Sequence, residues 1–247
     1  MALDNAFYDD TLASVYDQMY PLDGDTVQAI DFIGELAPPG GRILELGVGT
    51  GRIAVPLAEL GYDVHGIEGS TAMLTKLKER DPDGKVTTHL GDFTEATTGE
   101  QFDVVTLVLN TFYVAITKEQ QLSCLRNARG QLRGGGKLII EAFDPAPYHD
   151  MKKPEVSVRH LSERAIMLDT LTVDRSKQLM VATHTILSAG SPETKRHVIR
   201  YAFPAEIDLL AQLAGLRLAG RWAGWTKLPY TSASLRHVSV YEPDQDV

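Results

Sequence analysis

The chain has 247 residues, of which 43% are hydrophobic and 23% are charged. This composition is typical of a folded globular protein and excludes a chain that is mainly disordered. A single cysteine, Cys124, excludes a disulfide framework and a multi-cysteine metal site, and we expect it to be a buried structural thiol. No apolar run approaches the roughly 20 residues that a membrane-spanning helix needs. The formal net charge is −9 and no lysine/arginine cluster offsets it, so we expect no nucleic-acid partner.

The acidic charge is concentrated at the beginning of the chain. Eight aspartates and glutamates precede Arg42, which is the first lysine or arginine. Such a segment is either a solvated helical face or a source of negative field that favours cationic ligands. A secretory signal begins with positive charge followed by an apolar run, and because this segment has neither feature we expect a cytoplasmic protein.

The first two thirds of the chain predict alternating helices and strands. Residues 1–40 have the composition of helical segments, interrupted at Pro21 and ended by the Pro-Pro-Gly-Gly sequence at 38–41. The predicted strands that follow are 42–46, 63–68, 86–90, 102–109 and 137–143, and the predicted helices are 53–60, 70–80 and 118–132. Strands and helices that alternate at this spacing indicate βαβ units, a parallel sheet and right-handed crossovers.

The pattern changes after Pro145. Residues 156–203 alternate apolar and polar side chains around turn sequences at 174–177 and 189–192, and therefore predict antiparallel hairpins. A helix at 205–213 and strands at 216–222 and 237–241 complete the chain. We predict one α/β domain with a doubly wound, seven-stranded, mostly parallel sheet and an antiparallel hairpin insert after the fifth strand. Its parts are an N-terminal helical lid (1–40), a ligand-binding core (41–144), the insert (145–203) and a final helix with two strands (204–247).

A glycine-rich turn between the first strand and the first helix of the core is the strongest functional motif. Glu45 precedes Gly47, Gly49 and Gly51 in the pattern acid-x-Gly-x-Gly-x-Gly. Glycines at such a turn let a ligand approach the backbone, and the following helix favours negative groups at its N-terminus. Glu68 lies twenty-one residues after Gly47, at the end of the second strand. This spacing suits a carboxylate that accepts both hydroxyls of a ribose.

Two classes of ribose-containing ligand fit a glycine turn followed by an acid. A dinucleotide site requires a small residue at the sixth position of the turn, where this chain has Arg52. The motif present resembles the first motif of the class I S-adenosylmethionine-dependent methyltransferases. Asp92 and Phe93, after the third strand, resemble the adenine-binding turn of that family, and Leu109-Asn110 occupies the position that lines its methyl-transfer point.

The resemblance covers residues 42–144 and implies a Rossmann-like fold with S-adenosyl-L-methionine as the cofactor. An N-terminal helix that carries Tyr16 and Tyr20 on one face is similar to the lid of small-molecule N-methyltransferases. The residues predicted to bind the cofactor are Tyr16, Tyr20, Glu45, Gly47, Gly49, Gly51, Arg52, Glu68, Gly69, Met73, Asp92, Phe93, Leu109 and Asn110.

The segment after the fourth strand helps to identify the acceptor, which is the molecule that receives the methyl group. Enzymes of this family that methylate nucleobase amines or protein glutamine have Asn-Pro-Pro-Tyr there, whereas residues 110–113 read Asn-Thr-Phe-Tyr. This departure and the acidic charge indicate a small-molecule acceptor, and the lid and insert resemble those of enzymes that methylate amino sugars in natural-product biosynthesis. The preferred hypothesis is methyl transfer to such an amine. The alternatives are a small-molecule O-methyltransferase and a non-catalytic module that binds the cofactor.

The candidate catalytic residues are His149, His237 and Tyr113. The two histidines are chosen because they lie near strand ends. His197, Tyr148 and Tyr230 are further candidates for a base, which an alcohol acceptor would need. The histidines have no metal-binding spacing, so we predict no metal site. We expect the acceptor between the N-terminal segment, the insert and residues 227–237, with Tyr201 and Phe203 of the insert covering an apolar part of it. The insert is also a candidate surface for a homodimer.

Overall fold

The computed structural model describes residues 23–244. The strands are β1 (Arg42–Leu46), β2 (Asp63–Glu68), β3 (Val86–Leu90), β4 (Phe102–Leu107), β5 (Leu132–Phe143), β6 (Glu155–Ser162), β7 (Ala165–Asp174), β8 (Leu179–Leu187), β9 (Glu193–Arg200), β10 (Leu216–Trp222) and β11 (Arg236–Pro243). The helices are α1 (Gly24–Leu36), α2 (Ala54–Glu59), α3 (Thr71–Arg80), α4 (Lys118–Gln131), α5 (Ala146–His149) and α6 (Pro204–Leu213), with a 3₁₀ turn at Thr111–Val114.

Seven strands form one sheet in the order β10-β11-β5-β4-β1-β2-β3. Strands β1 to β5 pair in parallel, whereas β11 pairs antiparallel with both β5 and β10. The central strands β1 and β4 are almost entirely buried and mainly apolar, as expected for parallel strands that are covered on both faces. The predicted doubly wound α/β sheet is confirmed.

Helices cover both faces of this sheet. Buried side chains of α4 and α6 pack on one face, whereas those of α1, α2 and α3 pack on the other. Side-chain caps begin several of these helices: Asp23 caps α1, Ser70 caps α3 and Thr117 caps α4. Cys124 of α4 is buried, and burial raises the pKa of its thiol, as expected for a structural residue. Between residues 23 and 244, no helix is both long and apolar enough to cross a bilayer.

Two predicted boundaries differ from the structure. The strand β5 begins at Leu132 and not at residue 137, because a register shift against β4 absorbs the three glycines at 134–136. The strand β4 ends at Leu107 and not at residue 109, because Leu109 and Asn110 adopt left-handed backbone conformations with φ of 51° and 63°. Both differences lie where the chain departs from regular pairing, which an apolar sequence pattern does not reveal.

The insert after β5 is a separate four-stranded antiparallel sheet in the order β6-β7-β8-β9, which confirms the predicted hairpins. Val173, Met180 and Ile199 are register partners at its base and pack against the core of the main sheet. Val156 and Val158 on the edge strand β6 are exposed. A homodimer through this sheet remains a prediction.

A buried charge network attaches the insert to the main domain. Arg200 ends β9 and is 2% exposed. Its guanidinium donates to Glu206 Oε1 (2.5 Å), Gln121 Oε1 (2.5 Å) and Gln178 Oε1 (3.0 Å), and its carbonyl accepts from Gln121 Nε2 at 2.8 Å. The network therefore joins β9 to α4 and α6, and fixes the base of the insert against these two helices.

Replacing Glu206 with alanine removes the carboxylate that compensates the buried Arg200 guanidinium. An uncompensated buried charge costs roughly 3–5 kcal/mol, and we expect a loss of about 3 kcal/mol because Glu206 is itself partly exposed. Urea denaturation measures the free energy of unfolding. Glu193→Ala, an exposed position at the other end of β9, serves as the matched control. Equal losses for both variants would contradict the assigned role of the network.

Candidate functional site

Acidic side chains gather where the parallel strands end. Glu45 lies in β1, Glu68 ends β2, Asp92 follows β3 and Glu141 lies near the end of β5. In an open parallel sheet these carboxyl ends share one edge, and ligands bind in the crevice beside it. The structure therefore brings together residues that the sequence places up to ninety-six positions apart.

The glycine turn follows β1 and needs its glycines for two different reasons. Gly47, Gly49 and Gly51 have positive φ values of 72°, 56° and 79°, a region that other residues rarely adopt. A Cβ atom at Gly47 would lie 2.5 Å from Thr111 Cγ2, so this glycine permits close packing of the segment after β4. A Cβ atom at Gly49 would meet no atom within 4 Å. Gly49 therefore leaves open space beside the backbone, where a ligand can approach.

Glu68 is held against this turn. Its carboxylate accepts hydrogen bonds from the backbone of Gly49 (2.9 Å) and of Ser70 (2.8 Å). Burial raises its pKa, although these two amides and that of Gly69 oppose the rise by favouring the charged form. A carboxylate accepts about four hydrogen bonds, so Glu68 retains acceptor capacity for a ribose hydroxyl.

Glu45 is the most desolvated acid of the site. Burial raises its pKa to about 8, and the opposing attraction of Arg52 does not compensate. Among the described residues, its buried Oε2 atom has no hydrogen-bond partner. A cation bound beside this atom would favour the ionised form of Glu45, and S-adenosylmethionine carries both an ammonium and a sulfonium group. Together with the open space at Gly49 and the ribose-binding capacity of Glu68, this residue set fits that cofactor.

The other predicted cofactor residues lie around the same edge. Asp92 is exposed after β3, where its Oδ1 atom accepts from the backbone and hydroxyl of Thr94, both at 2.8 Å. Phe93 packs partly on the core, and Met73 is buried in the first turn of α3. Gly69 follows Glu68 near the carbonyl of Gly91. Tyr16 and Tyr20 lie outside the described residues, and the lid hypothesis remains a prediction.

The loop after β4 is fixed by a residue that sequence reasoning missed. Glu141 Oε2 accepts from the backbone of Leu109 at 2.6 Å, and its carbonyl accepts from that of Asn110 at 3.2 Å. Asn110 Oδ1 in turn accepts from the backbone of Phe143 at 2.7 Å. Burial raises the pKa of Glu141. The signal available was an acidic residue inside the apolar sequence Leu-Ile-Ile-Glu-Ala-Phe at 138–143.

The predicted catalytic residues occupy different environments. The Tyr113 hydroxyl is buried and donates towards the carbonyls of Phe143 (3.1 Å) and Ala202 (2.9 Å), and burial raises its pKa well above its usual range. His237 is fully buried, and burial lowers its pKa to about 4. His149 is half-buried in α5, with Nδ1 2.8 Å from the Tyr201 hydroxyl. The geometry favours a positioning role for Tyr113 and leaves His149 nearest to solvent.

With this geometry established, comparisons with known proteins define the class. A methyltransferase-domain family model matches residues 43–136. Cypemycin N-terminal methyltransferase from a Streptomyces species is 30% identical over 241 residues, which cover 97% of this chain and 98% of that protein. The chain therefore belongs to the S-adenosylmethionine-dependent methyltransferases.

Solved structures agree with this family. The CcbJ methyltransferase from Streptomyces caelestis is 35% identical and superposes with a TM-score of 0.89 over 98% of this chain and 99% of that one. The amino pentose methyltransferase CalS10 from Micromonospora echinaspora, solved with the cofactor bound, shares the fold at 19% identity and a TM-score of 0.72, over 97% and 99% of the two chains. The protein is a methyltransferase of natural-product type, and S-adenosyl-L-methionine is its cofactor.

Changing Glu68 to alanine should lower cofactor affinity at least tenfold. Each hydrogen bond to a charged acceptor contributes about 1.5–3 kcal/mol, and the variant loses those predicted to the ribose. Titration calorimetry with S-adenosylhomocysteine measures the effect, with Glu79→Ala on the exposed face of α3 as the control. Unchanged binding in the Glu68 variant would remove Glu68 from the cofactor site.

Gly49→Ala should reduce cofactor binding without an exceptional loss of stability. Gly84→Ala is a closely matched control, because Gly84 has a similar φ of 66° and also has no atom within 4 Å of an added Cβ. Both variants should lower the melting temperature to a similar extent, since both force alanine into the left-handed region. Only the Gly49 variant should lose affinity in calorimetry. Equal affinities would show that the open space at Gly49 does not receive the ligand.

Proposed function

We propose that this methyltransferase transfers a methyl group to the amine of a small-molecule acceptor, such as an amino sugar or a similar natural-product intermediate. The name of the 30% identical relative, cypemycin N-terminal methyltransferase, supports nitrogen as the acceptor atom. The amino pentose methyltransferase with the same fold supports a sugar amine as one form of acceptor.

The proposal is carried by the observation that three of the candidate bases, Tyr113, His237 and Tyr230, are unsuited to proton transfer, which leaves His149 among the predicted catalytic residues. An alcohol needs a base within about 3 Å, whereas a neutral amine can attack without one. The Tyr113 hydroxyl is committed to two carbonyls, and His237 is buried and neutral. The Tyr230 hydroxyl donates to Asp144, and burial together with that bond raises its pKa to about 12. This environment suits an amine better than a hydroxyl acceptor.

The chain's own contribution is alignment. When bound, S-adenosylmethionine supplies a methyl group already activated by the neighbouring sulfonium charge. The protein then has to hold the acceptor nitrogen in line with that group and exclude water, and such positioning supplies roughly 7–11 kcal/mol. The rigid loop at Leu109 and Asn110, fixed by Glu141, provides a wall for this alignment.

The predicted acceptor cover needs one revision. Tyr201 was expected to cover an apolar part of the acceptor, but its ring is fully buried and its hydroxyl is bonded to His149. Phe203 is only half-buried and lies 5.3 Å from the His149 ring. The proposed acceptor space is therefore bounded by Phe203, His149 and the loop that contains Tyr230.

An amine acceptor predicts a characteristic pH profile. The test uses radiolabelled cofactor and a panel that contains methyl glucosaminide, piperidine and a dipeptide with a free amino terminus, each paired with its hydroxyl counterpart. Because only the deprotonated amine is nucleophilic, the rate should rise towards the pKa of each amine and shift with that pKa across the panel.

A different profile would favour a hydroxyl acceptor. In that case the rate would follow one enzyme group near neutral pH for every acceptor, and His149→Ala would abolish it. His160→Ala, an exposed position on β6, serves as the control for that substitution. Turnover of hydroxyl compounds alone would overturn the proposed amine specificity.

A further inference from the structure

Asp144 lies directly beside the loop after β4 and was not predicted as a site residue. It is the first residue after β5 and is 8% exposed. Its backbone N–H donates to the carbonyl of Leu235 at 2.8 Å, and the preceding residue, Phe143, donates to Asn110 Oδ1. Two neighbouring elements therefore fix the position of Asp144 at the carboxyl edge of the sheet.

The carboxylate of Asp144 is oriented by two donors from different parts of the chain. Its Oδ1 atom accepts from the backbone of Ala146 at 2.9 Å, and its Oδ2 atom accepts from the Tyr230 hydroxyl. These bonds use about half of the hydrogen-bonding capacity of a carboxylate. Asp144 is therefore a preoriented negative group that can accept further N–H donors.

An unpaired buried atom next to this carboxylate is a second, independent observation. His237 Nδ1 lies 2.9 Å from Ser239 Oγ, while its Nε2 atom is buried and has no hydrogen-bond partner in the described part of the chain. The ring centroid lies 6.3 Å from that of Tyr230, and Asp144 acts electrostatically on the imidazole.

The direction of that unpaired atom follows from the strand. Ser239 lies two residues further along β11, away from the carboxyl edge of the sheet. The two nitrogens of an imidazole point in different directions, so Nε2 faces away from Ser239, and the Tyr230 ring packs against the same imidazole. A buried polar atom in a native protein is normally paired, and one left unpaired calls for a ligand or water.

We propose that Asp144 binds the acceptor amine, and that His237 Nε2 and the Tyr230 hydroxyl bond a polar group adjacent to that amine. This inference rests on the proposed function and narrows its acceptors to amines that carry a neighbouring hydroxyl, because the Tyr230 hydroxyl already donates its proton to Asp144 and can only accept a further hydrogen bond. An amine can donate an N–H to a carboxylate in both its charged and its neutral form. Asp144 therefore binds the acceptor and orients the nitrogen lone pair, while His237 and Tyr230 select the neighbouring group.

Asp144→Asn is the central test, because it removes the charge and keeps the shape and the bond from Ala146. For the amine of the panel with the highest kcat/KM, we expect KM to rise roughly tenfold to hundredfold, the range of a hydrogen bond to a charged group. The affinity for S-adenosylhomocysteine should stay within about twofold by calorimetry. Asp150→Asn makes the same charge change at an exposed position at the end of α5, and should leave both quantities unchanged.

The preference of the enzyme for an amine over its hydroxyl counterpart is a second readout. A purely structural role of Asp144 would not change this preference. The inhibition constant of the hydroxyl counterpart is compared with the KM of the amine, and Asp144→Asn should remove most of the preference for the amine. Tyr230→Phe keeps the charge of Asp144 and should raise KM by only about threefold, the effect of one neutral hydrogen bond. If the Asp144 variant fails to fold, as judged by thermal melting, the same measurements on Tyr230→Phe and His237→Gln decide the question.

The outcomes separate this inference from the proposed function. If the wild-type protein methylates no amine, the proposed function fails, and the inference fails with it. Amine turnover by the wild type with an unchanged KM and unchanged preference in Asp144→Asn would overturn the inference alone. Loss of S-adenosylhomocysteine binding in that variant would also overturn it, because Asp144 would then support the cofactor site and not the acceptor.

Discussion

The hydrogen bond between the Glu141 carboxylate and the backbone of Leu109, 2.6 Å long, organises the carboxyl edge of the main sheet. It holds two consecutive non-glycine residues, Leu109 and Asn110, in left-handed conformations that cost energy wherever they occur. Burial of Glu141 is itself unfavourable, and the bond to the amide offsets part of that cost. The strain and the buried acid therefore persist because each constrains the other.

The consequences of this bond extend to both halves of the site. With the loop fixed, Thr111 packs against Gly47, and this contact excludes any side chain at the first glycine of the cofactor turn. Asn110 fixes the end of β5 through the backbone of Phe143, and Asp144 follows immediately. The cofactor turn and the proposed acceptor carboxylate are thus positioned from opposite sides of one rigid loop.

The sequence predicted the features that depend on residues close together in the chain. It did not predict the role of a side chain whose hydrogen-bond partner lies far away in the chain. Local patterns were sufficient for several predictions. The alternation of strands and helices predicted the sheet and the insert. The glycine turn and the acids at the ends of β2 and β3 predicted the class of cofactor. The Tyr113 hydroxyl was predicted to be catalytic, but its partner Ala202 lies eighty-nine positions away. The pairing of Tyr230 with Asp144 spans eighty-six positions, so no periodicity or motif could reveal it.

The buried acids Glu45 and Glu141 are relevant to the charge of the ligand. Glu45 and Glu141 are desolvated in the folded protein, and their raised pKa values show that burial disfavours their ionised forms. A cation bound beside such an acid would favour its ionised form and offset part of the cost of burying it. The sulfonium cofactor and an ammonium acceptor both have this charge. A cationic ligand beside Glu45 would therefore stabilise the carboxylate that burial disfavours, and the binding of the ligand and the ionisation of Glu45 would be coupled.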